Sequence, residues 1–347
     1  MQLLVFYGRD MIKDKGYKDY SISIIRGIAF CLIFICHLLQ FDNSELAFWF
    51  NVGVQIFLCI SGYLHGARQI ENDINYFVKK CIRVLVPYYL VIIPIILIHV
   101  VFMPEYITIK TIVKVLLCDR GIKGGEHLWF IATILMCYLL LPGILKFYEK
   151  ISKYAPVKWV LANLFITFTV FITFERFLVF YKSAWINCFF IGVFLRKNEL
   201  LKKIKVKYVN IFWVITAILC NSVQIYVDYV LQLDLKNKTA YIWYCNYSHV
   251  LLGVAIFVIL KAIFDSYIRG QKIIKKAGEY IDRVTYECYL VHQFLILGPL
   301  SLMELFDNKL LNVAVIIVLT AVMGYSVHVV STKIFEWTKT FYQNHRA

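Results

Sequence analysis

The chain has 347 residues, of which 61% are hydrophobic and only 17% charged, with a net charge of +15 and a mean hydropathy of +0.69. Soluble domains carry about 25% charged residues, so this composition excludes a soluble globular protein. The positive charge does not point to nucleic acid, because it falls almost entirely between long apolar runs.

Ten such runs approach the length of about 20 residues that crosses a bilayer as helix. They lie near 22–42, 46–66, 84–103, 127–148, 157–175, 177–195, 208–233, 242–265, 286–306 and 310–330. The expected fold is an all-α polytopic membrane protein of ten transmembrane helices. Residues 1–21 form a tail, and 22–347 a single membrane domain with a short C-terminal tail. With the segments assigned alternately from an inner N-terminus, the inner ones hold 27 of the 37 Lys and Arg and the outer ones nine. Such a bias places both termini in the cytoplasm, with the basic inner loops facing anionic lipid headgroups or a phosphate-bearing ligand.

The first run contains SIIRGIAFCLIFICHLLQF, with Arg26 and His37 inside an otherwise apolar stretch. Ionisable groups there cost a few kcal/mol each by insertion scales and face a protein or water interior. Eleven residues are three turns plus about 20°, so both side chains belong to one helix face, about 16 Å apart in rise. The second run ends in Ser61-Gly62-Tyr63. Ser61 has no base beside it in sequence, and Gly62 suits a close backbone approach. A basic loop with Lys80 and Arg83 leads into the third run through Pro87.

The outer segment 104–126 is too long for a hairpin and too short for a domain, which suits a vestibule or lid. Trp129, Tyr138 and Trp185 suit either sugar stacking or an interfacial aromatic belt. The ninth run opens with GEYIDRVTYECYLVHQF, carrying Tyr286, Glu287, Tyr289 and His292. The ten cysteines fall mostly inside helices, and their spacing suggests neither a disulfide framework nor a zinc site.

The Arg26/His37 pair, the Ser-Gly-Tyr element, the Lys80/Arg83 segment and the TYECYLVH element, in this order and with HLWF at 127–130, resemble the acyltransferase 3 family of membrane O-acyltransferases acting on carbohydrates. The resemblance implies a cytosolic acyl-CoA donor, most simply acetyl-CoA, no metal, and a carbohydrate or glycolipid acceptor met in the cell membrane. It implies His37, Arg26 and Glu287 as catalytic residues. Arg26, Lys80, Arg83, Ser61 and Tyr63 fall to the donor, and His292, Tyr289 and Trp129 to the acceptor. Lys80 departs from the Arg that relatives often carry at that position.

Each residue also has a plainer reading. His37 and His292 suit helix–helix hydrogen bonding, Arg26 suits snorkelling to the inner surface, and Glu287 suits a helix-start carboxylate. The rival function is a glycan or glycolipid exporter with Arg26 and His37 as gating or proton-relay groups, for which the expected internal repeats are not evident.

Overall fold

A computed structural model describes residues 19–119, 121–176, 183–235, 238–267 and 272–344. The expected tail up to residue 18, the start of the sixth run and part of the inner segment 261–283 lie outside the described residues. Secondary structure among the described residues is helical throughout, without strands.

The helices are α1 Tyr20–Phe41, the single turn α2 Ala47–Phe50, α3 Val52–Gly66, α4 Asp73–Phe102, α5 Ile109–Leu116, α6 Trp129–Ile151, α7 Pro156–Arg176, α8 Ser183–Leu201, α9 Val206–Ile225, α10 Thr239–Tyr267, α11 Lys272–Ile296 and α12 Lys309–Asn344. Among the described residues, eight helical segments are long and apolar enough to cross a membrane. The two long helices not among them are α8, which ends in Arg196, Lys197 and Glu199, and α11, which carries charges through its first four turns. Below, the proximal face is the one where α1 begins and the distal face the one where it ends.

Local chemistry sets several boundaries. Asp19 caps α1 by accepting from Ser21 N at 3.2 Å, and Asn72 caps α4 by accepting from Asn75 N at 2.9 Å. Helix α4 therefore starts eleven residues before the apolar run expected from 84, and Lys80 and Arg83 are helical rather than in a loop. It continues through Pro87 and Pro94, as neighbouring helices allow in an apolar setting. Helix α11 begins at Lys272, not near 286, because its first half is amphipathic. It stops before Gly298, whose φ of +81° suits only glycine, with Pro299 following. Tyr286 and Glu287 are thus mid-helix.

The segment expected as a vestibule folds across the distal face as the short amphipathic α5. It is fastened by Tyr88 OH donating to Val115 O and by Tyr89 OH donating to Leu116 O at 2.9 Å. Helix α8 is buried on nearly every side, as a helix apolar all round should be. It crosses α3 where two glycines face opposing backbones: a Cβ at Gly62 would lie 1.8 Å from Phe189 O, and one at Gly192 2.1 Å from Cys59 O. Membrane helices approach this closely through small residues, so Gly62 does what the Ser-Gly-Tyr element suggested. Ion pairs join helix ends on each face, Lys146–Asp73 at 2.5 Å proximally and Lys309–Asp42 at 2.5 Å distally.

Candidate active site

Helix α1 runs unbroken from Arg26 to His37, and each meets α11. On the proximal side Arg26 is ion-paired with Asp282, whose second oxygen accepts from Ser23 Oγ at 2.7 Å. Asp282, not Glu287, is therefore the carboxylate that pairs with the partly buried guanidinium. Glu287 lies one and a half turns further along α11 and meets His328 of α12 at 3.3 Å.

Arg26 and Asp282 stand at the mouth of a cavity of about 260 Å³ bounded by α1, α3, α4, α6 and α11. Arg83 and His65 line the same charged end, while Ile33, Val54, Phe57, Phe130 and Tyr289 make the deeper part apolar. Ser61 is in its wall, with Oγ 3.1 Å from Tyr138 OH. The Lys80 ammonium lies over the Tyr76 and Tyr138 rings at 5.6 and 5.4 Å, within cation–π reach. His65 Nδ1 donates to Ser61 O at 2.7 Å, which turns its other nitrogen away from the helix backbone.

Towards the distal face His37 packs with two further imidazoles. Its ring centroid is 5.1 Å from His292 and 6.2 Å from His127, and those two are 5.2 Å apart. His37 Nδ1 sits 2.6 Å from Gln40 Oε1, so Nδ1 carries the proton and Nε2 the lone pair. Tyr289 lies between cavity and cluster: it lines the cavity, its ring is 5.1 Å from His127 and 5.6 Å from His292, and its hydroxyl donates to His127 O at 2.7 Å.

The structure thus gathers Arg26, Arg83, Ser61 and Tyr289 around one cavity, sets Lys80 over the ring of its wall residue Tyr138, and packs His292, which touches His37, against Tyr289. It does not bring in Tyr63, whose hydroxyl turns to Glu199 at 2.5 Å and Arg196 at 3.1 Å. Trp129 packs at a tilt on Trp185, ring centroids 5.3 Å apart, whereas Tyr138, grouped with them in sequence, belongs to the cavity wall. Asp282, His65 and His127 were not singled out from sequence as site residues. His127 stood inside the HLWF element, but nothing in its spacing told of contact with His37. Among the described residues no group of three or more His, Cys, Asp or Glu is placed to hold a metal ion, and all ten cysteines are free.

Apolar helices around a cavity lined at one end by Arg26, Arg83 and Asp282, with a cluster of three buried histidines beside its Tyr289 wall, define a helical membrane protein. The chain belongs to the acyltransferase 3 family: that family's model, an acyltransferase domain, matches residues 19–331, nearly the whole chain. No curated protein and no solved structure matches it.

Proposed function

We propose that this membrane acyltransferase moves an acyl group, acetyl in the simplest case, from cytosolic acyl-CoA to a hydroxyl of a glycan or glycolipid in the cell membrane. In this reading α8 and α11 also cross the bilayer, giving ten spans with both termini cytoplasmic, as the bias of 27 inner against nine outer cations favours. The observation that carries the proposal is the continuity of α1, which joins Arg26 in the cavity lining to His37 in the histidine cluster packed against the cavity residue Tyr289.

Arg26, Arg83 and Lys80 meet the donor phosphates, and the apolar wall of Ile33, Phe57 and Tyr289 guides the thioester arm distally. His37 Nε2 takes the proton of the acceptor hydroxyl as its oxygen bonds to the thioester carbon. The C–S bond breaks, the thiolate leaves towards the proximal face and recovers the proton, and alcohol plus thioester become ester plus thiol. A positioned base of this kind is worth about 10²–10⁴ in rate. Asp282 holds the Arg26 guanidinium as its charge partner, and the Trp129 ring, packed against Trp185, offers the acceptor an apolar face.

The test uses the full chain in nanodiscs with [14C]acetyl-CoA and extracted cell-surface glycans. Alkali-labile label on carbohydrate is expected, with weaker acetyl-CoA binding in Arg26→Ala and Arg83→Ala and near-normal binding in Lys80→Arg. Unlabelled carbohydrate would reject the proposal in favour of a non-enzymatic role.

A further inference from the structure

His127 and His292 present a problem of hydrogen bonding that the reaction above leaves unanswered. His127 is 4% exposed and His292 0%. Each has one nitrogen committed to a main-chain carbonyl: His127 Nε2 donates to Leu290 O at 3.2 Å, and His292 Nδ1 donates to Tyr289 O at 2.7 Å. A carbonyl only accepts, so these bonds fix both tautomers. They leave His127 Nδ1 and His292 Nε2 as lone-pair acceptors.

Both of those nitrogens are buried and have no hydrogen-bond partner among the described residues. Nor can the three rings satisfy one another. With His37 protonated on Nδ1 towards Gln40, all three imidazoles in the cluster are left with an acceptor nitrogen and no second N–H. A buried acceptor without a donor is costly enough that native sites normally supply one.

The cluster is held in place by its surroundings. Gln293 accepts from His127 N at 2.9 Å and donates to Glu126 at 3.1 Å, while Phe30 packs on the His292 ring at 5.4 Å. The missing donors fit one of the two substrates better than the other. A thioester group offers only acceptors, its carbonyl oxygen and its sulfur. A polyol carries a hydroxyl hydrogen on each of several neighbouring carbons.

Resting on the acyl-transfer reading, we propose that His127 and His292 are acceptor-binding residues. Their lone-pair nitrogens receive hydroxyl hydrogens next to the hydroxyl that His37 deprotonates, so the enzyme selects acceptors bearing neighbouring hydroxyl groups. The acceptor is then held by three imidazoles at once, and one hydroxyl is oriented for attack because its neighbours are bound.

The experiment measures acceptor and donor KM separately with the full chain in nanodiscs, [14C]acetyl-CoA and extracted cell-surface glycans. His127→Leu and His292→Leu remove the lone pairs and should each raise the apparent acceptor KM about tenfold, the size of one lost hydrogen bond, with the acetyl-CoA KM unchanged. His127→Asn and His292→Gln place an amide oxygen where the acceptor nitrogen was and should recover most of that loss. Acceptor KM unmoved in the Leu variants, or donor and acceptor KM rising together, would overturn the proposal.

A second arm needs no variant. Glycans treated with periodate and then borohydride, which splits neighbouring hydroxyls into separated alcohols, should be labelled by the wild-type enzyme at least tenfold less. Equal labelling would overturn the proposal while leaving acyl transfer intact. No label on untreated glycans would instead overturn the acyl-transfer reading, and this one with it.

Discussion

Replacing Gly62 by Ala adds one methyl group where α3 crosses α8. The new Cβ would lie 1.8 Å from Phe189 O, 2.8 Å from Phe189 C and 3.1 Å from Val193 N. Carbon–oxygen contacts normally begin near 3.3 Å, so the helices must separate by about 1.5 Å. The obstructing atoms are backbone, which no rotamer change can move aside. Overpacking of this sort costs about 1–3 kcal/mol, against a gain of up to about 1 kcal/mol from the better helix propensity of Ala. Gly143 in α6 supplies the control, since a Cβ there meets nothing within 4 Å and only the propensity gain remains. Thermal unfolding in one detergent at one scan rate should therefore show Gly62→Ala several degrees below wild type and Gly143→Ala at or slightly above it. Because Ser61 lines the cavity, the Gly62 variant should also lose activity at temperatures where it is still folded. Equal melting of the two variants would refute the close crossing and the cavity shape that depends on it.

Asp282→Asn should impair transfer and donor binding by releasing the Arg26 guanidinium, whereas Glu287→Gln, which alters a contact with His328, should leave donor affinity near wild type; acetyl-CoA binding to both variants decides. Burial raises the Asp19 carboxyl, but hydrogen bonds from Ser21 and Lys261 outweigh it and leave it below its ordinary value of 3.8. Its stabilising effect is then complete at neutral pH and lost only as the pH falls through that lowered value, so Asp19→Asn should lower the melting temperature at pH 7 and do so less in strong acid. For orientation, Gly121→Cys should react with an impermeant maleimide on intact cells and Lys203→Cys should not. Native Cys118, buried and with its thiol pushed up to about 11, should stay unlabelled.

The sequence already showed the Arg26–His37 face, because eleven residues on a regular helix leave no freedom in their relative direction. The close approach at Gly62 was legible too, since a glycine between apolar helix residues has few other uses. The true start of α11 was not. Lys276, Glu279, Asp282 and Arg283 depress hydropathy and read as loop, although Gly278 and Ile281 of the same segment pack against α1. Hence the plainer reading of Glu287 as a helix-start carboxylate does not hold, and Asp282, the partner of Arg26, does not stand out in the sequence. Pairing of residues 256 apart in sequence depends on how α1 and α11 are set against each other, which no local pattern encodes. His127 was hidden for the same reason: it joins His37 and His292 only after three helix ends meet at the distal face.

The most direct test of the central claim, that the His37 imidazole handles the acceptor proton, is the transfer rate of His37→Gln measured with [14C]acetyl-CoA beside wild type and His37→Ala. Gln keeps a hydrogen-bonding side chain of similar reach but has no titratable ring. The account predicts that Gln is as inactive as Ala, about 10²–10⁴ below wild type, with acetyl-CoA binding retained in both. A normally expressed His37→Gln protein that transfers acetyl groups near the wild-type rate would contradict it, and would assign His37 to holding helices together.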